Sequence, residues 1–154
     1  TKNRMGKEHC SGMYIREAAV MNAIRAEISN IIKSQQQIMS CKRKEQRDLE
    51  CEISQIEQDN RIQSMERRKI YEDMVMGKLT REEAISLKDA LPDFSDELLQ
   101  RKSNLAEIGT TLEQFQMFCN AEKEQAAFEK VVSRYLLKVI VFSDKNIIVE
   151  FDVK

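Results

Sequence analysis

The chain has 154 residues, with 25 Lys and Arg against 26 Asp and Glu, one His, no Trp, one Pro and four Gly. Such an even charge balance excludes a generally basic coat for nucleic acid, and scarce Gly and Pro beside plentiful Glu, Lys, Arg, Gln and Ile predict a helical, coiled-coil-rich protein. No apolar run approaches the roughly 18 residues of a membrane span and no secretory leader is visible, so a cytoplasmic chain is expected, with Cys10, Cys41, Cys51 and Cys119 as reduced thiols outside any CxxC pair.

In chain order, the basic segment 1–14 carries Gly6 and Gly12 and suits a loop with a short edge strand. A helix should begin near Ile15 or Arg16, because residues 13–76 contain neither Gly nor Pro. About sixty helical residues would make a rod of roughly 90 Å, far longer than a compact domain of this size. Ile24, Ile28, Ile31 and Ile32 form a wide apolar stripe for packing on a base. Beyond Lys33 the stripe narrows to a heptad seam, with Met39, Ile53, Asn60 and Met74 at a positions and Leu49, Ile56 and Ile70 at d positions. Lys42, Gln46, Asn60, Gln63 and Arg67 make that seam polar and marginal. Asn60 either sets the register or simply marks a weak stretch.

Gly77 should end the helix, and Thr80-Arg81-Glu82-Glu83 reads as a capping box that starts another. Pro92 interrupts this second helix, and Asp93 or Ser95 can cap the next segment. Leu98, Leu105, Ile108, Leu112, Phe115 and Cys119 then recur at spacings that suit a return arm. A break follows at 120–124, and Ala127, Phe128, Val131, Val132, Tyr135 and Leu136 mark a short amphipathic helix. Two β-branched runs, 138–142 and 147–153, flank a polar turn and predict a hairpin. The expected fold class is mainly α, with a long antiparallel helical hairpin (a coiled coil of roughly 60 Å) projecting from a small α/β base that ends in a β-hairpin. The expected division is base residues 1–35, arm residues 36–121 with its tip near 70–94, and base residues 122–154.

Few residues suggest chemistry. The single histidine, His9, has no Ser and Asp companions, and no P-loop or dinucleotide fingerprint occurs, so no self-contained active site is expected. A structural zinc needs four ligands, which Cys10 and His9 do not supply. The clusters Lys42-Arg43-Lys44 and Arg67-Arg68-Lys69 suit a solvated face paired with Glu45 and Glu66, and Lys2, Arg4 and Lys7 are better candidates for phosphate contact. At the tip, Ile70, Tyr71, Met74, Val75, Met76 and Leu79 should face Ile85, Leu87, Leu91 and Phe94. Some of these must pack together. A narrow two-helix tip cannot bury them all, so Ile70, Tyr71, Met74, Val75, Met76, Leu79, Leu91 and Phe94 are the candidate protein-interaction residues.

Three segments carry a resemblance. His9-Cys10-Ser11-Gly12-Met13-Tyr14-Ile15-Arg16-Glu17 places a Cys shortly before an Ile and a helix. Tyr71-Glu72-Asp73-Met74-Val75-Met76-Gly77-Lys78-Leu79-Thr80-Arg81-Glu82-Glu83 joins a tyrosine-acidic stretch, Gly-Lys, an apolar residue, a Thr cap and acidic residues. Residues 137–142 and 147–151 form the closing strand pair. In this order the segments resemble the C-terminal part of large serine recombinases, the serine integrases and resolvase-type transposases. The resemblance implies a zinc-ribbon remnant with an inserted coiled coil, within a longer protein whose catalytic serine lies in a separate domain. It implies DNA binding through the base, contacts between recombinase subunits through the coiled coil in synapsis, and a directionality factor as a further partner. Cys10 maps onto the family's zinc ligands, so zinc is implied for the full-length parent and none for this chain. The alternative reading is a coiled-coil scaffold or chaperone-like adaptor that grips a protein partner with its tip.

Overall fold

The computed structural model describes residues 14–153. The expected edge strand before Tyr14, His9, Cys10, and the basic residues Lys2, Arg4 and Lys7 lie outside the described residues. Helix α1 spans Glu17–Val75, α2 Arg81–Ala90, α3 Ser95–Ala121 and α4 Gln125–Tyr135, followed by strands β1, Leu136–Val141, and β2, Ile147–Phe151. The protein is mainly α with a C-terminal β-hairpin, as the composition predicts. α1 runs for 59 residues without interruption, starting one or two residues later than expected.

The chain divides into two compact units. One comprises the described residues of Thr1–Met39 with those of Glu113–Lys154, and the other is Ser40–Leu112. In the first unit, Ile24 and Ile28 of α1 lie one helical turn apart and are buried with Phe118, Ala121, Phe128, Val131 and Val149. The ring of Phe118 meets Tyr135 at 5.5 Å between centroids and Phe151 edge-on at 5.6 Å. Such pairs add to the burial of area because ring edges and faces carry opposite partial charge.

The hairpin closes this core. β1 and β2 are antiparallel, with Val139 opposite Val149, Ile140 opposite Ile148 and Lys138 opposite Glu150 at 3.2 Å. Side chains alternate across a strand, so Ile147, Val149 and Phe151 share the face that packs on the core. On β1 the packed residues are Leu136 and Val139, three apart, which strict alternation forbids. An irregular register between Leu136 and Lys138 resolves this, because the extra residue Leu137 turns outward and is 63% exposed. The sequence predicts a strand starting at Lys138. It starts at Leu136, directly from α4, and the Asp152 amide donates to the Tyr135 carbonyl at 2.8 Å to extend the pairing.

In the second unit, every a and d position of the heptad on α1 loses exposure. Ile53 and Ile56 are buried, and Lys42, Gln46, Leu49, Asn60, Gln63, Arg67, Ile70 and Met74 are all partly buried. On α3 the matching row is Leu98, Arg101, Leu105, Ile108 and Leu112. Arg101 is the seam member that the apolar pattern omits. Its guanidinium is ion-paired with Glu52 of α1 and lies 3.3 Å from Glu97 on its own helix. Lys102 meets Glu57 at 2.8 Å, so two ion pairs join α1 and α3 across the seam.

Candidate interaction site at the helix-hairpin tip

The turn between α1 and α2 is built from local backbone chemistry. Gly77 adopts φ 76°, a left-handed conformation that side chains disfavour. This lets the Lys78 amide donate to the Asp73 carbonyl at 2.9 Å and the Gly77 amide to the Met74 carbonyl at 3.1 Å, which satisfies the last carbonyls of α1. Three residues on, the Glu83 amide donates to Thr80 Oγ1 at 3.2 Å and the Thr80 amide donates to the Glu83 carboxylate at 2.8 Å. This is the predicted capping box, and it starts α2.

α2 stops at Ala90 ahead of Pro92, and α3 starts with Asp93 accepting from both the Ser95 amide (3.0 Å) and the Ser95 hydroxyl (2.6 Å). Those bonds hold the Asp93 carboxyl below its usual range, against a smaller opposing effect of desolvation.

Between α1 and α2 lies an open cleft of about 530 Å³, lined by Arg67, Arg68, Ile70, Tyr71 and Met74 of α1 and by Arg81, Ala84, Ile85 and Lys88 of α2. Ala84 forms its buried floor, while Tyr71 and Ile85 keep 62% and 50% of their surface exposed. On α2 the spacing of Arg81, Ala84, Ile85 and Lys88 is that of one helix face. Leu87 was expected to face α1 but is absent from the lining, and at 46% exposure it is open to solvent. The reason is rotational, since a residue two positions from Ile85 points about 160° away around the helix.

The predicted tip residues separate into three groups. Ile70, Tyr71 and Met74 line the cleft. Val75 and Met76, 65% and 72% exposed, sit at the end of α1 and in the turn, outside the cleft lining, as does the partly buried Leu79. Leu91 and Phe94 are partly buried at the α2–α3 junction and do not line the cleft. Pattern reasoning read Arg67 and Arg68 as part of a solvated face and did not place them with Arg81 and Lys88 in one cleft. Arg67 donates to the Pro92 carbonyl at 3.3 Å, and Arg68 pairs with Glu72 at 3.0 Å, in place of the Glu66 expected from the sequence. The i,i+4 spacing of Arg68 and Glu72 is the signal that would have found the second pair. Lys42 does pair with Glu45, at 3.0 Å.

Arg25 stacks 4.0 Å above the Phe128 ring and donates to the Gln125 side chain at 2.6 Å, so it serves the packing of the first unit. Among the described residues, no group of three or more His, Cys, Asp and Glu side chains could hold a metal ion, and no helix is long and apolar enough to cross a membrane. No protein-family model, curated protein or solved structure matches the chain.

Proposed function

We propose that this chain is a non-catalytic interaction module from the C-terminal region of a serine site-specific DNA recombinase, and that its helix-hairpin tip makes contacts between subunits in synapsis. The observation that carries the reading is the tip turn. Val75 and Met76 are large, apolar and mostly exposed, on a turn held by a left-handed glycine and a capping box. Local capping bonds alone would hold a polar turn equally well, so exposed apolar residues there favour a partner surface. The link to recombinases rests on the residue pattern 71–83, whose Gly, Thr and Glu occupy the positions that the turn requires. Catalysis, DNA recognition through the base and the zinc site belong, in this reading, to the longer parent protein.

The experiment places Met76→Asp and Leu79→Glu, separately, in the parent recombinase. Both variants should bind a single DNA site as well as wild type and fail to join two sites. A hot-spot side chain typically contributes about 2 kcal/mol or more, a roughly thirtyfold change in association. Unimpaired joining of sites by both variants would remove the tip from the mechanism. The parent gene should also encode paired cysteines and a resolvase-type catalytic domain ahead of Thr1, and a parent lacking both would leave only the adaptor alternative.

A further inference from the structure

The cleft beside the tip turn has a chemistry that contact between like subunits does not explain. Its lining holds four cations, Arg67, Arg68, Arg81 and Lys88, and no carboxylate. Arg68 is partly neutralised by Glu72 and Arg67 is engaged with a carbonyl, but Arg81 and Lys88 make no ion pair among the described residues. These two lie seven residues apart on one face of α2, roughly 10 Å along its axis, with Ile85 between them. Across the cleft, Ile70, Tyr71 and Met74 supply the facing apolar wall. The result is an apolar trough about two helical turns long with an unpaired cation toward each end of one wall.

We infer that this cleft is a docking groove for an acidic amphipathic helix of a separate protein partner. The apolar face of such a helix would lie on Ile70, Tyr71 and Ile85, and its flanking Asp or Glu side chains would pair with Arg81 and Lys88. Helix-in-groove recognition takes its affinity from apolar anchors at i, i+3 or i+4 and i+7, and its specificity from charges beside them. The cleft of a second copy, equally basic, is repelled by this one. Duplex nucleic acid would satisfy the cations but has no use for an apolar trough with an exposed tyrosine and isoleucine. The inference deepens the proposal that the tip is an interaction surface and assigns this side of it a partner different from another subunit.

The test uses the 154-residue chain and a displayed library of randomised peptides of about 16 residues, long enough to cover the trough. The enriched sequences should be acidic, with apolar residues at helical spacing. Their affinity should fall at least tenfold for the Arg81→Glu, Lys88→Glu double variant and for Ile85→Asp. Peptides whose acids are replaced by Lys should regain binding to the double variant. Circular dichroism would verify that the variants fold, and Met76→Asp, which lies outside the cleft, should leave peptide binding unchanged. That control separates this inference from the subunit-contact proposal, since each can fail while the other stands. Absence of enrichment, enrichment of neutral or basic peptides, or binding indifferent to the double variant would overturn the inference. So would duplex DNA that competes with the peptides, or a dimer seen by sedimentation and abolished by the double variant, which would assign the cleft to nucleic acid or to a second copy.

Discussion

At Thr80 and Gly77 single side chains decide where a helix ends and the next begins. Thr80→Ala removes the acceptor for the Glu83 amide and should destabilise the second unit by about 1 kcal/mol, read as a lowered midpoint in urea. Gly77→Ala meets no steric neighbour, so its expected cost of about 1 kcal/mol comes from the left-handed backbone alone. Two carboxylates impose a pH dependence. Lys102 holds Glu57 below its ordinary value of 4.5 by hydrogen bonding and charge, and Ser95 holds Asp93 below 3.8. Both folded values are depressed, so their contributions are complete above the unfolded values and vanish as pH falls through the folded ones. In acid titrations followed by circular dichroism, Glu57→Gln should flatten the loss of stability below about pH 4.5 and Asp93→Asn that below about pH 3.8. The capping box and the C-terminal glycine were legible because their chemistry spans only a few residues of sequence. The Arg67 bond to Pro92 was not, because it depends on which backbone arrives opposite.

Periodicity made the elements legible. Every a and d position of the heptad placed on residues 39–74 is buried or partly buried, polar ones included. Polar seam residues therefore stay in the seam, and one of them carries a cost. The Gln63 side-chain oxygen is buried with no hydrogen-bond partner among the described residues. Gln63→Met should raise the unfolding free energy by about 1–2 kcal/mol, since an unsatisfied buried acceptor is replaced by an apolar side chain of similar length. An unchanged or lower midpoint would mean that the glutamine is satisfied in solution. In the first unit, Phe128 is 1% exposed within the buried cluster, and Phe128→Ala should cost about 3–5 kcal/mol. What the pattern did not reveal was the extra residue at Leu137. Period-two reading assumes an unbroken ladder, and the insertion that lets Leu136 and Val139 share a face is set by the core beneath them.

At the scale of the molecule, the proposed function rests on surfaces more than on a reactive centre. The sequence showed an excess of apolar residues near the tip but could not say which of them would be covered. The structure divides them between a basic-edged cleft and an exposed turn, and this division makes the two proposed contacts separable by mutation. Subunit contact through the turn is the central proposal, and a photo-crosslinking amino acid at Met76 in the proposed parent recombinase tests it most directly. With two DNA sites joined, the crosslink should connect two subunits, and with single sites bound it should be absent. Joined sites that yield no crosslink between subunits from this position would contradict the account.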